Sequence, residues 1–183
     1  MQHPFPDDGL RRAGAIETSA NPFGPVEIRL LVVADAPALR EHLQRLEPAC
    51  RRLRFGAPVN DIFIRNYAVK AFQGAGIVGI FVAGVLRGVA ELRFDPRDTG
   101  QAEGAFSLEK PYRRLGFGSR LFSSLLESAR MAGVQRLLLH CLRENVAMQR
   151  IARAHAAELS FEDGETIAEI RPHAPRPVLS AAA

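Results

Sequence analysis

Lysine is nearly absent from this chain, with Lys70 and Lys110 the only two. Arginine therefore carries the positive charge, which leaves a formal net charge of +4 and a pI of about 9.7. There is no long basic run interleaved with aromatics, so composition gives little reason to expect a nucleic-acid surface. An arginine-rich, alanine-rich chain is explained as readily by the base composition of its coding DNA as by a ligand. A modest positive balance also suits a small anionic ligand. Cysteine is scarce as well. Cys50 and Cys141 lack CxxC spacing, which excludes a disulfide framework and points to a reduced, cytoplasmic setting. No spacing of His, Cys, Asp and Glu suggests a zinc site. The opening stretch, MQHPFPDDGLRRAGAIETSANPFGP, has no apolar h-region and does not read as a secretory signal. No window approaches the ~20 apolar residues of a membrane span. Internal repeats and low-complexity blocks are also missing.

What is present fits one domain in 183 residues, large enough to be stable without disulfides or metal. Residues 1–25 and 172–183 are rich in proline, glycine or alanine and read as flexible tails. The folded unit is expected over residues 26–171. Val26 to Val33 is rich in β-branched residues and reads as a first strand. A helix follows with Asp35 as its cap, Pro37 in its first turn, and Leu39, Leu43 and Leu46 on one face. Ala49 to Phe55, with Arg51, Arg52 and Arg54, reads as a turn. Asn60 would cap a second helix, with Phe63 and Tyr67 on its inner side. Residues 76–83 and 86–94 form a hairpin near Gly84, and Ala102 to Leu108 is a further strand. Leu121, Phe122, Leu125, Leu126 and Ala129 mark the buried face of a helix over residues 116–132. The apolar run Leu137 to Cys141 reads as a central strand. A helix over residues 145–157 and two short strands around Asp163-Gly164 complete the order. The fold class is an α/β (α+β) mixture, with a mostly antiparallel sheet rather than strict βα alternation.

The segment EKPYRRLGFGSR joins the strand ending at Leu108 to a helix. Gly116 and Gly118 open that helix, where backbone N–H groups lack partners and the dipole is positive. An anion such as a phosphate fits there, and glycine permits close approach. Arg113 and Arg114 add positive charge, and Ser119 adds a hydroxyl donor. The dinucleotide fingerprint GxGxxG, the phosphate loop GxxxxGK[ST] and the nucleophile elbow GxSxG are all missing.

Arg113-x-x-Gly116-x-Gly118 resembles the [Arg/Gln]-x-x-Gly-x-[Gly/Ala] signature of the GCN5-related N-acetyltransferase (GNAT) superfamily. Ala102 to Leu108 looks like that family's fourth strand. Asn145, with Met148, Ile151 and Ala152 after it, resembles the family's second signature. Arg51-Arg52-Leu53-Arg54-Phe55 is further similar to the acetyltransferase domains of bacterial protein-lysine acetyltransferases. The resemblance covers residues 26–170. It implies the acyl-CoA N-acyltransferase fold, splayed between strands 4 and 5, with a bulge in strand 4.

It also implies acetyl-CoA as cofactor and direct transfer to a primary amine, on a small molecule or a protein lysine, in a ternary complex. The backbone amides of Arg114, Leu115, Gly116, Phe117, Gly118 and Ser119 would take the pyrophosphate beside Arg113. Asn145 would also reach the cofactor. A backbone N–H near Ser107 or Leu108 would polarise the thioester carbonyl. Glu103 would be the base that deprotonates the amine, with Glu91 as its rival and Glu109 solvated. The family's usual proton donor to the thiolate is a tyrosine, but Ala152 occupies that position. Water, Cys141 or Ser160 would then serve. The missing tyrosine also motivates an alternative, a non-catalytic acyl-CoA-binding regulatory module. His140, Cys141 and His155 read as packing residues, since adjacent strand residues face opposite ways. The arginines at 51, 52 and 54 form either a solvated face or a rim for acidic groups. The resemblance involves neither nucleic acid nor membrane, and homodimers are common in the family.

Overall fold

Every residue from Ala75 to Val82 is buried, as expected of a strand covered on both faces. The chain reverses through Ala83 and Gly84, both at positive φ, a pairing suited to a two-residue hairpin turn. The computed structural model describes residues 23–173 apart from Thr99 and Asp163. The expectations for the tails before Phe23 and after His173 lie outside the described residues, as does Asp163 of the last turn.

The elements run β1 (Val26–Leu30), α1 (Ala36–Arg45), α2 (Pro48–Phe55), α3 (Asp61–Lys70), β2 (Ala75–Val82), β3 (Val85–Phe94) and β4 (Gln101–Leu108). They continue with α4 (Phe117–Met131), β5 (Arg136–Leu142), α5 (Val146–Ala154), β6 (Glu158–Glu162) and β7 (Glu165–Ile170). The seven strands form one sheet in the order β1-β2-β3-β4-β5-β7-β6. All neighbours are antiparallel except β4 and β5.

Two differences from the sequence reading matter. First, β1 stops at Leu30, and Val33–Asp35 forms a 3-10 turn. Asp35 does flank α1, but its carboxylate takes Arg29 and the Val32 N–H rather than capping the helix. Second, residues 48–55 form a helix, not a turn. Pro48 supplies a preset φ for the first turn of α2, and Gly56 ends it at φ 73°. Asn60 behaves as expected, its side chain accepting from Phe63 N at 2.9 Å to cap α3.

The sheet's alternation sorts the core into two layers. Val78, Ile80, Ala90 and Leu92 pack with Leu121, Phe122 and Leu125 of α4 on one face. Ile77, Phe81 and Val89 pack with Leu39, Leu43 and Ile64 of α1 and α3 on the other. Burying each of the larger of these side chains contributes about 1.5–3 kcal/mol. The helices on each face leave the middle of the sheet, β4 and β5, facing α2 on one side and α4 and α5 on the other.

Candidate active site

β4 and β5 are partners only from Gln101 to Glu103 and from Arg136 to Leu138; beyond that they separate. Gly104 sits where the pairing ends. A Cβ there would lie 2.5 Å from Leu139 Cδ2, so glycine leaves room for the Leu139 side chain of β5 against β4. A cavity of about 320 Å³ occupies the gap. Its walls are β4 from Glu103 to Phe106, β5 from Leu139 to Leu142, the end of α2, Asn145 and Glu165.

The pairing of β3 with β4 decides which backbone groups face this gap. It is unbroken from Gly88↔Leu108 to Phe94↔Ala102, so the bulge expected in strand 4 is not there. Glu109 N donates to Arg87 O and Asp95 N to Gln101 O, which identifies the odd-numbered β4 residues as those bonded to β3. The N–H groups of Phe106 and Leu108, beyond the last β4–β5 pair, therefore face the gap. Ser107, a candidate on the same footing as Leu108, turns its N–H toward β3 instead. The Leu108 carbonyl shows the same orientation, since it accepts both Nε and Nη2 of Arg113 at 3.0 and 2.9 Å.

That contact gives Arg113 a structural role beside the one expected of it. Its guanidinium holds the end of β4 and also reaches Cys50 Sγ at 3.0 Å. The turn it begins has the anticipated shape. Arg114 at φ 61° and Gly116 at φ 79° swing the chain into α4. The first helical bond runs from Arg120 N to Gly116 O. Phe117, Gly118 and Ser119 thus present N–H groups with no acceptor inside the helix, and no side chain caps them. A Cβ on Gly116 would meet nothing within 4 Å, so the space beside it is open. Gly118 is small for another reason: a Cβ there would lie 3.0 Å from Ile151 Cδ1 of α5.

Glu103 is exposed at the cavity edge, on the side of the sheet facing α2. Its rival Glu91 is buried, and its carboxylate is bound by Arg54 Nη2 at 2.7 Å, by Tyr67 Oη and by Arg93. Tyr67 is pushed up in pKa by burial and belongs to this core network, as its packing against Phe55 also shows. Glu109 is not solvated. It is 7% exposed and accepts from Arg45 Nε at 2.8 Å and Arg87 Nη1 at 3.0 Å. Burial pushes its carboxyl up, but hydrogen bonds from His42 and Arg45 outweigh that and hold it below the usual range. Neither the buried Glu109 nor His42 on α1 was foreseen as part of one cluster, because 67 residues separate them.

The three arginines divide. Arg54 is in the core, Arg51 brackets α1 to α3 through Gln44 O, Leu46 O and Asp61, and half-exposed Arg52 pairs with Glu144 of the loop after β5. Asn145 Oδ1 accepts from Met148 N to cap α5, and the residue lines the cavity. Ala152 is buried between α5 and the core. Cys141 lines the cavity from a buried position, burial pushes its thiol up, and its sulfur donates to Thr166 O at 3.5 Å. His140, on the opposite face of β5 from Cys141, also lines the cavity, 3.8 Å from Glu165. His155 stacks on Phe122 at 4.6 Å. Ser160 is exposed on β6. Among the described residues no cluster of three His, Cys, Asp or Glu side chains is placed to hold a metal, and no helix is long and apolar enough to cross a membrane.

Comparison with known proteins agrees with this architecture. Residues 38–156 match the model of the Acetyltransferase (GNAT) family. The GNAT domain of S. lividans PAT is similar in fold, with a TM-score of 0.69 and 21% identity over 81% of this chain and 91% of that one. YncA of Salmonella typhimurium, solved with its cofactor acetyl-CoA, has a TM-score of 0.61 at 17% identity over 84% of this chain and 98% of its own. The PaiA N-acetyltransferase of Thermoplasma acidophilum, in complex with coenzyme A, has a TM-score of 0.61 at 16% identity over 80% and 98%. By the match to the family model, which spans well over half of its length, the chain belongs to the acetyltransferase (GNAT) family, the acetyl-CoA-dependent acetyltransferases.

Proposed function

We propose that this chain transfers the acetyl group of acetyl-CoA directly to a primary amine. The observation that carries this reading is a pair of features joined by one short segment. Residues 109–116 connect the start of α4, whose first amides have no acceptor inside the helix, to β4, whose Phe106 and Leu108 N–H groups face the gap. A diphosphate needs the first and an amide-bearing arm needs the second. Both fit one molecule, a phosphate ester with an extended peptide-like chain.

Acetyl-CoA supplies an activated acyl group held as a thioester. The amides of Leu115, Gly116, Phe117, Gly118 and Ser119 would hold its pyrophosphate, with the helix dipole favouring the charge. Arg114, exposed in the same turn, adds a cation. The arm would follow β4, using the N–H groups of Phe106 and Leu108, and Asn145 would approach from the start of α5. The Leu108 N–H would donate to the carbonyl oxygen of the acyl group, lowering the cost of negative charge there.

Glu103 would take the proton from the incoming ammonium, freeing the lone pair that forms the C–N bond as the C–S bond breaks. Its carboxylate and that of Glu165 give the cavity an acidic edge, which suits a cationic acceptor. Water or the Cys141 thiol, neutral by virtue of its burial, would pass a proton to the departing thiolate and take up in its place the second proton, which the nitrogen sheds as the amide forms. A protein lysine and a small-molecule amine both satisfy this chemistry.

The burial of Ala152 favours a second reading, in which the domain binds an acyl-CoA without turnover. Substitution separates the two. Glu103→Gln is expected to lower kcat about 10²-fold, the scale of a lost general base, while leaving acetyl-CoA affinity within about twofold. Equal kcat in the variant across pH would remove Glu103 as the base. Acetyl-CoA binding with no transfer to any amine would establish the second reading.

A further inference from the structure

We propose that His42 is a positioning residue for acetyl transfer, fixing Ser107 so that the neighbouring Leu108 N–H is held toward the acyl carbonyl. The inference rests on the proposed function and deepens it.

His42 is fully buried in α1, between Ser107 of β4, the strand that edges the cavity, and Glu109 just after it. Its Nε2 lies 2.8 Å from Ser107 Oγ and its Nδ1 lies 3.1 Å from Glu109 Oε1. The partners fix the proton's place. Glu109 is ionised, with Arg45 Nε and Arg87 Nη1 donating to its two oxygens, so it can only accept. His42 Nδ1 therefore donates to it. The ring is neutral, since burial pushes its pKa down and the Arg45 and Arg54 charges add to that, against the opposing pull of Glu109. Nε2 is then bare, and Ser107 Oγ must donate to it.

This chain ties three elements to one point. α1 supplies His42 and Arg45, β3 supplies Arg87, and β4 with the residue after it supplies Ser107 and Glu109. Leu108, the residue between, has its carbonyl held by Arg113, which also touches Cys50 of α2. Nothing in the proposed mechanism consumes His42 or the Ser107 hydroxyl. Both flank the one backbone N–H that must stand at a defined place and angle. A buried polar group is costly unless fully satisfied, and a satisfied network specifies one geometry. Here the geometry specified is that of the β4 end at the gap.

The two hydrogen bonds of His42 can be removed separately. His42→Gln places an oxygen near the former Nε2 and keeps an acceptor for Ser107. His42→Asn places an amide near the former Nδ1, keeping Glu109 and losing Ser107. Ser107→Ala removes the same bond from the other side with little change of volume. Steady-state transfer from acetyl-CoA to spermidine, a lysine peptide and a peptide with a free N-terminus would be measured, with calorimetric acetyl-CoA affinity and thermal melting for each variant.

The proposal predicts that Ser107→Ala and His42→Asn lose about tenfold in kcat, below the 10²–10³ of a wholly lost oxyanion donor. Their acetyl-CoA affinity should stay within about twofold of the parent, and His42→Gln should keep kcat within about threefold. The proposal is overturned if Ser107→Ala retains parental kcat, if affinity falls in step with kcat, or if the Gln variant is impaired as much as the Asn variant. If the parent chain itself transfers to none of the three amines, the proposed function fails and takes this inference with it. Loss confined to the variants is the sign of the inference alone.

Discussion

Gly116 and Gly133 stand at opposite ends of α4, both at positive φ, 79° and 74°, and both with open space where a Cβ would project. Replacing either with alanine forces an L-residue into the left-handed region at a cost of about 1–2 kcal/mol. The two substitutions should therefore lower stability alike. They should differ in binding, because only Gly116 borders the unpaired amides. Gly116→Ala is expected to weaken acetyl-CoA binding about tenfold, or 1.4 kcal/mol, and Gly133→Ala not at all. Calorimetry on both variants checks this, and equal affinities would mean that the turn is shaped for folding alone. At this scale the sequence was informative about the turn at Gly116 and misleading about Glu109. Arg113 was readable as a charge, but its partner is a carbonyl that only the strand's direction places there. Glu109 follows a strand and precedes Lys110 and Pro111, an exposed context locally. Its burial comes from His42 and Arg45 in α1, which no local pattern reveals.

Among the elements, α2 was the one missed. Its sequence, PACRRLRF, is amphipathic but only eight residues long and polar on average, and two of the arginines that made it read as a turn, Arg51 and Arg54, are what anchor it. Arg54 is joined to Glu91 of β3, with both side chains under a tenth exposed. Glu91→Ala would leave Arg54 buried without its anion, at a cost of about 3–5 kcal/mol in unfolding free energy, measurable by urea titration. A change under 1 kcal/mol would mean that water readily replaces the pair. The contact between α1 and β4 makes a pH prediction. The folded-state pKa of His42 is below the usual 6.5, so the unfolded chain binds its proton more readily. Its contribution to stability is complete above about pH 6.5 and is lost as pH falls toward the lower folded value. The urea midpoint should therefore fall from pH 7.5 to 5.5, and His42→Gln should flatten that fall. Parallel declines in the two proteins would assign the effect to other groups. The remaining elements were legible because their apolar spacing coincides with real burial: Leu121 to Ala129 on α4, the β2–β3 hairpin and the apolar run of β5.

Across the described residues, the proposed site lies where the sheet opens between β4 and β5, while the other marked irregularity is a register shift in β2 at Ile80 and Phe81. Six strand pairings hold seven strands together, and β4 with β5 is the only parallel one, maintained for three residue pairs before it opens. The resemblance to the GNAT superfamily implied this opening, and the strand pairing shows it. The acceptor was not legible. The side of the cavity that would receive it is built by α2 and by Glu103 and Glu165, brought together from three distant stretches of chain. The most direct test of the account is release of free thiol from acetyl-CoA by the full chain, followed with and without each amine of a panel and matched to the mass of the acetylated product. The account predicts saturable, amine-dependent release, with one acetylated amine formed per thiol. Release of thiol at the same rate without amine, or none at all from a chain that binds acetyl-CoA, would contradict it.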